Sequence, residues 1–501
     1  NFPDLSNSQQ WLDTARQRLH QGLVEIVDPD GVLIENSPYY HFYVLEKYWD
    51  IYKYSNKFEV KIREQFDNRI NKMINYATFI LQPDLSVPLL GASLERRINL
   101  SGVYTEMAKL NPNFLYVLTH GENGEVPPQK AISYPDAGQV IMRSGWYKGD
   151  KFENQTQLIF DIGPYRTNHS DLDALSFSLY GQGEALMPDA GLYTYENGPF
   201  RDYFHGSMAH NTVIVDGKSQ KEGKPIIGNF AEGEGWAYQS AQHDLYDGVT
   251  HQRAIALLGD KYVLIVDNLL SEYQHDYEQV FHLFPDANVE IDGLQVTAFG
   301  DSKNKSVAIH QLIQGGLLVS HSKGETSPPK GLCSMQYEVY VPCSMISYKQ
   351  IGKNVQYITL LQVGENDKSF TVDYKDGVVR LFSKNTEYAV DISFATFPIK
   401  REFSINSFGY ETPELERQNK GSVVIIFDDG YKSILPAAAI MNSYGIKGNV
   451  ALISGQVDKL GYLSLDNVKM LQNEYGWNII NHSRDHKNAV LNYYPDALRD
   501  F

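Results

Sequence analysis

Apolar residues in the first hundred positions recur every three to four, the spacing of helices that pack on one face. Trp11, Leu12, Ala15, Leu19 and Leu23 form such a stripe and predict a helix over residues 5 to 26. The turn Asp28-Pro29-Asp30-Gly31 ends it. A second helix opens near Pro38 and runs to about Tyr54. A third covers Val60 to Leu81, with Ile70, Met73, Ile74 and Ala77 on one face, and a fourth covers Leu94 to Leu110. From about Tyr134 the period falls to two. Strand-like runs appear at Gln139 to Met142, Gln157 to Asp161, Ala174 to Tyr180, Thr212 to Val215, Ala254 to Leu258 and Tyr262 to Val266. They continue at Gln279 to Phe284, Leu317 to Ser320, Gln356 to Gln362 and Tyr388 to Ile392. Turn pairs such as Asp216-Gly217, Pro285-Asp286 and Asp292-Gly293 separate them. Many short strands with such turns predict stacked antiparallel sheets, a large β-sandwich. No repeat of roughly 20 to 50 residues marks a solenoid or propeller.

The pattern changes once more near the end. Residues 398 to 420 are polar and irregular and read as a linker. Val423 to Phe427 is a continuous apolar run, as in a buried parallel strand. A helix near Ile434 to Tyr444, a strand at Gly448 to Ile453, a helix at Leu463 to Tyr475 and a strand at Trp477 to Ile480 follow. Alternating strands and helices predict an α/β unit. The chain thus reads as multidomain α+β: helical over 1–115, β-rich over 116–400, a linker at 401–420 and α/β over 421–501.

Composition narrows the function classes. Net charge is −17 over 501 residues, which argues against nucleic-acid binding. Hydrophobic residues make up 42% of the chain, enough for sizeable cores. Two cysteines, Cys333 and Cys343, are compatible with a cross-strand disulfide or with two buried thiols. No apolar run of about 18 residues predicts a membrane span. No signal peptide is visible, and the chain opens on Asn1 and reads as starting inside a domain.

The densest chemistry lies between Asp161 and Gly217. Turns there carry His169, Asp171, Asp173, Asp189, Tyr193, Tyr195, Arg201, Tyr203, His205 and His210, between strands that would hold them rigid. His169-Ser170-Asp171 precedes Asp173-Ala174-Leu175-Ser176-Phe177. Asp189-Ala190-Gly191 follows, and then the stretch from Arg201 to Gly217. Upstream stands Glu35-Asn36-Ser37-Pro38-Tyr39-Tyr40-His41. Together these motifs resemble the signature of heparinase II/III-type polysaccharide lyases. The resemblance implies an (α/α) toroid, represented here by its last helices, followed by the β-sandwich. It implies β-elimination next to a uronic acid, with Tyr40 and His169 exchanging protons and Tyr39 as the fallback for Tyr40. Arg201 would hold a carboxylate in two-pronged fashion, and Asn36 and Tyr195 are further substrate-binding candidates. A metal that holds the His169 loop would be bound by Asp171, Asp189 and His210. Position 171 departs from the family's usual His, so calcium is an alternative to zinc. The group that neutralises the substrate carboxylate is expected upstream of Asn1. An acidic protein acting on an acidic polymer needs local positive charge, for which Arg143, Lys148, Arg166, Arg201, Lys218 and Lys221 are available. The 34 tyrosines include candidates for sugar stacking, although strands alone account for many of them.

A second constellation sits in the α/β segment. Ile425-Ile426-Phe427-Asp428-Asp429-Gly430 and Asn481-His482-Ser483-Arg484-Asp485-His486 each follow a predicted strand. They are similar to the first two motifs of polysaccharide deacetylases of carbohydrate esterase family 4. The resemblance makes Asp428 the general base and Asp429, His482 and His486 ligands of a catalytic, zinc-like ion. It also implies that only the opening part of a deacetylase barrel is present. The whole chain then reads as a lyase fused to a deacetylase, acting on an acidic, acetylated polysaccharide. A secreted or cell-envelope location follows from that substrate, with a cytoplasmic one left open. The alternatives are a non-catalytic glycan-binding protein on the same scaffold, or a glycoside hydrolase, which would need two opposed carboxylates.

Overall fold

The computed structural model describes residues 7–53, 60–166, 169–301, 305–313, 315–364, 371–375, 377–383, 386–391, 405–408, 426–427, 429–443 and 446–481. The chain divides into two compact units, Asn1–Glu411 and Thr412–Phe501. In the first, five helices lead: α1 (Ser8–Ile26), α2 (Pro38–Tyr52), α3 (Val60–Ile80), α4 (Gly102–Leu110) and α5 (Pro112–Leu118). Residues 94–101, expected to begin the fourth helix, form a return loop instead. Val87 N–H donates to Arg96 C=O and Ile98 N–H to Leu85 C=O, so their backbone groups are already committed. The short α5 starts where Asn111 accepts from the amides of Asn113 and Phe114 and Pro112 takes the first helical position. The stripe predicted on α1 is buried at Leu23, while Trp11 and Leu12 face solvent.

The β-rich body contains three main sheets. The first runs Ala131–Tyr134, Gln139–Arg143, Gln157–Asp161, Phe177–Gly181, Glu184–Met187, each strand antiparallel to the next. Its two faces do different work. Val140, Met142, Leu158 and Phe160 point into the sandwich core, and Ile141 and Ile159 point into the helical core. Burial on both faces explains why the middles of these strands, Val140 to Met142 and Leu158 to Phe160, are unbroken apolar runs. The second sheet has eight strands, centred on Tyr262–Ser271 between Val249–Leu258 and Val355–Val363. The third has four: Leu318–Lys323, Ser344–Gly352, His275–His282 and Val213–Val215. A further four-stranded sheet spanning 371–408 packs Val379, Leu381 and Val390 against Ala254, Ala256 and Leu264 of the eight-stranded one. The cysteine alternative is decided for the bond: Cys333 and Cys343 form a disulfide, Cα atoms 5.7 Å apart, across the base of the hairpin Leu332–Gln336 and Val339–Pro342.

In the second unit three parallel strands, Ile426–Phe427, Asn449–Leu452 and Asn478–Asn481, alternate with the helices Leu435–Ser443 and Leu465–Asn473. Val450, Leu452, Leu471 and Trp477 form its core. The first strand is not the wholly buried run expected, since Ile426 is 51% exposed. Among the described residues no helix is long and apolar enough to cross a membrane.

Candidate functional site at the seam of helices and sheets

The start of α2 is a built turn. Asn36 takes a left-handed φ of 53°, Ser37 caps the helix by accepting from Tyr40 N–H, and Pro38 pre-sets the first turn. That turn raises Tyr39 and Tyr40 from the helix end and buries His41 beneath them. His41 is structural: Nε2–H donates to Met73 C=O at 3.1 Å and Nδ1 accepts from Leu33 N–H at 3.4 Å. Burial holds it neutral, its pKa lowered to about 4. Facing the turn is the segment that carries His169. Gly91 joins the two. Its φ is +57°, and a Cβ there would lie 2.8 Å from the carbonyl oxygens of both Asn36 and His169. Ala92 N–H, next along, donates to His169 C=O at 2.9 Å.

The Tyr40 and His169 rings stack with centroids 4.1 Å apart and planes within 8°. Nδ1 of His169 lies 2.9 Å from Glu35 Oε2, so the carboxylate orients the imidazole. The Tyr40 hydroxyl is 3.4 Å from that of Tyr195. Burial, followed by the hydrogen bond to Tyr40, pushes the Tyr195 hydroxyl upward, so it stays protonated. The Arg201 guanidinium sits 5.5 Å over the Tyr195 ring. Tyr39 turns away, edge-on to Tyr40 and beneath the guanidinium of Arg96 at 5.8 Å. Asn36 is buried, its amide donating to Pro164 C=O at 2.8 Å. It borders, with Asp171, a cavity of about 10 Å³, room for one water.

Asp171, Asp189 and His210 come together in the buried layer behind. Their ligand atoms lie within 4.8 Å of one another, the one such trio among the described residues. Asp189 accepts from His210 Nδ1 at 2.9 Å, while His210 Nε2 is buried with no hydrogen-bond partner. Burial pushes the carboxyls of Asp161 and Asp171 up to about 7 and raises Asp173 as well. Burial opposes charge on His210, but Asp189 against its ring outweighs that and raises it to about 10. Four buried carboxyl groups around one imidazole are short of positive charge, and an orphaned ring nitrogen points the same way. The residues present therefore fit a divalent cation. Arg253 pairs with Asp267 at 2.6 Å and donates through Nη1 to the carbonyls of Leu175, two residues after Asp173, and Asn211, next to His210.

Three of the six cations expected to line a basic cleft do other work. Arg143 is buried in the core, donating to the carbonyls of Phe79 and Leu81. Arg166 pairs with Asp28 and Lys221 with Asp247. Arg201 is the one of the six found beside the tyrosine pair. Glu35 was readable as the first letter of its motif but not as the partner of His169. Asp161 was hidden at the end of an apolar strand. In the second unit, Asp429 follows the strand Ile426–Phe427 with a φ of +67°. Asp428, His482 and His486 lie outside the described residues.

The chain belongs to the heparinase II/III family: residues 1–115 match the family described as Heparinase II/III N-terminus and residues 126–343 that described as Heparinase II/III-like, C-terminal. Residues 416–501 match the family Polysaccharide deacetylase. A heparin-sulfate lyase of Pedobacter heparinus is 23% identical over 317 residues, which is 61% of this chain and 47% of that protein. A heparin-sulfate lyase of Bacteroides thetaiotaomicron is also 23% identical, over 60% of this chain and 47% of its own length. The chain thus spans about half the length of these relatives. The crystal structure of a heparan sulfate lyase from Pedobacter heparinus superposes with a TM-score of 0.68 at 19% identity, covering 82% of this chain and 64% of that one. A solved heparinase III gives 0.66 at 18% identity, covering 82% and 65%. At these identities the structures establish the fold alone.

Proposed function

We propose that the chain carries a polysaccharide lyase that cleaves a uronic-acid-containing polymer by β-elimination, joined to a metal-dependent polysaccharide deacetylase module. The domain boundaries follow the sequence reading, 1–115, 116–400, a linker at 401–420 and 421–501. The observation that carries the lyase reading is the stack of Tyr40 on His169, with Glu35 behind the imidazole and Tyr195 beside the phenol. In this reading His169 takes the C5 proton of the uronate, and Glu35 stabilises the imidazolium that forms. The electron pair left on C5 makes the C4–C5 double bond as the C4–O bond breaks. Tyr40, sharing its hydroxyl hydrogen bond with Tyr195, gives its proton to the departing oxygen. Arg201 offers charge to the carboxylate. Asp171, Asp189 and His210 would hold a cation, which supplies the positive charge that lets the carboxyl layer behind His169 stay ionised. Relatives named as heparin-sulfate lyases support an acidic polymer as substrate.

For the deacetylase, the match of residues 416–501 to the Polysaccharide deacetylase family supports Asp428 as base and Asp429, His482 and His486 as metal ligands. The test uses a panel of uronate polymers. Elimination creates an ultraviolet-absorbing double bond, expected with the parent protein and reduced by about 10² or more in Tyr40→Phe and His169→Ala. Absorbance unchanged in both variants would end the lyase reading. Acetate release should stop in Asp429→Ala and in chelator; release surviving both removes the metal.

A further inference from the structure

Aromatic rings do not stop at the Tyr40–His169 stack. Tyr195 lies 5.8 Å from His169, centroid to centroid, and Tyr337 lies 6.1 Å beyond Tyr195, tilted by 34°. Tyr195 is 37% exposed and Tyr337 42% exposed, so the path opens to solvent as it leaves the proton-exchanging pair. Tyr337 stands at the tip of the hairpin Leu332–Gln336 and Val339–Pro342, where Glu338 takes a left-handed φ of 59°. A lone exposed tyrosine on a hairpin tip is ordinary. This hairpin is unusually well held.

The Cys333–Cys343 disulfide closes its base. Ser334 Oγ donates to Leu192 C=O at 2.7 Å, and Glu338 N–H donates to Tyr193 C=O at 2.7 Å, at the tip itself. Tyr340, on the returning strand, stacks on Phe200 at 5.3 Å. Phe200 precedes Arg201 in the helix Pro199–His205, so one contact sets the hairpin against the helix that carries the site's cation. On the other edge Glu95 N–H donates to Met335 C=O at 2.8 Å, tying the hairpin to the loop that contains Gly91. Three segments around the site, at Leu192 and Tyr193, at Phe200 and at Glu95, therefore hold this hairpin.

We propose that Tyr337 is a sugar-stacking platform. It would bind a saccharide unit of the uronate polymer next to the one being cleaved, with Tyr195 between the two. The chemistry fits. The axial C–H face of a pyranose is apolar and packs on an aromatic ring, while its hydroxyls stay in water. A ring fixed in advance loses little conformational entropy on binding, which is the use of a disulfide and a hydrogen-bonded tip. The occupant is the polymer because the rings continue from the proposed reaction centre without a gap. This inference rests on the lyase reading for its substrate, but its test does not require turnover.

The experiment is native electrophoresis of the full chain through gels containing heparan sulfate, hyaluronan or alginate, alongside ultraviolet turnover. The parent should be retarded by at least one polymer. Tyr337→Ala should weaken that retardation about three- to tenfold, the loss of one stacked ring, with an unchanged melting temperature. Tyr337→Phe should keep it, because the ring rather than the hydroxyl is used. In turnover, KM for the polymer should rise by a similar factor with kcat within about twofold, because the platform touches no reacting atom. Parent and Tyr337→Ala retarded alike, or a parent retarded by none of the three, overturns the platform. Tyr337-dependent retardation without any absorbance change leaves the platform standing and removes the lyase reading. Absorbance that ignores Tyr337, in KM as in retardation, does the reverse.

Discussion

At the scale of single residues the site turns on one carboxylate. Glu35 and His169 are 134 positions apart in sequence and 2.9 Å apart in space. Nothing in the local pattern around Glu35 predicts that pairing; the motif supplied the residue, and only the fold supplied its partner. If Glu35 orients the imidazole and stabilises its charged form, Glu35→Gln should lower kcat by about 10² with little change in KM. Initial-rate kinetics by ultraviolet absorbance checks this, and an unchanged kcat would make the contact a packing one. Arg143 teaches the converse. Its charge was legible, its burial was not, and burial turns a candidate for substrate into a core residue that holds the carbonyls of Phe79 and Leu81.

At the scale of elements, the helix turn at α2 and the His169 segment meet through the loop between α3 and α4. Gly91 is where that loop presses between the two carbonyl oxygens of Asn36 and His169. Gly91→Ala places a methyl group against both and forces a side chain into the left-handed region. The expected cost is about 1–3 kcal/mol, read as a lower urea midpoint, together with reduced kcat as the Tyr40–His169 stack opens. Stability and rate both unchanged would mean the loop does not set the stack. Periodicity located α1, α2 and α3 because side chains three and four apart share a helix face, a local property. It failed over 94–101, where Leu94 and Ile98 have helical spacing but Ile98 N–H is taken by Leu85 C=O. Backbone bonding to a distant segment outweighed spacing there.

Across the whole molecule, neutral buried histidines contribute to the response to acid. Burial lowers His41 to about 4 and lowers His243, His251 and His310 as well. In the unfolded chain these rings take protons near the usual value of about 6.5. From these rings, between that value and about 4, the unfolded state binds more protons, so their contribution to stability rises with pH in that window, while the raised carboxyls of Asp161, Asp171 and Asp173 act in the opposite sense. The expected outcome is that the histidine contribution is fully present above about pH 6.5 and is lost towards pH 4. His41→Gln should remove about one proton's worth of the slope. Urea titrations at three pH values test this, and parallel slopes in parent and variant would place the acid response elsewhere.

By itself the sequence determined the alternation of helical and extended segments and the identity of the chemical groups. It also determined the families to which residues 1–115, 126–343 and 416–501 belong. Those are properties of local spacing and of residue type. Tertiary structure alone decided which groups meet: Tyr40 with His169, Glu35 behind the ring, Asp161 and Asp173 beside the trio of Asp171, Asp189 and His210, and Tyr337 at the end of the aromatic path. The physical reason is that charge, burial and hydrogen bonding act over a few ångströms of space, whatever the separation along the chain.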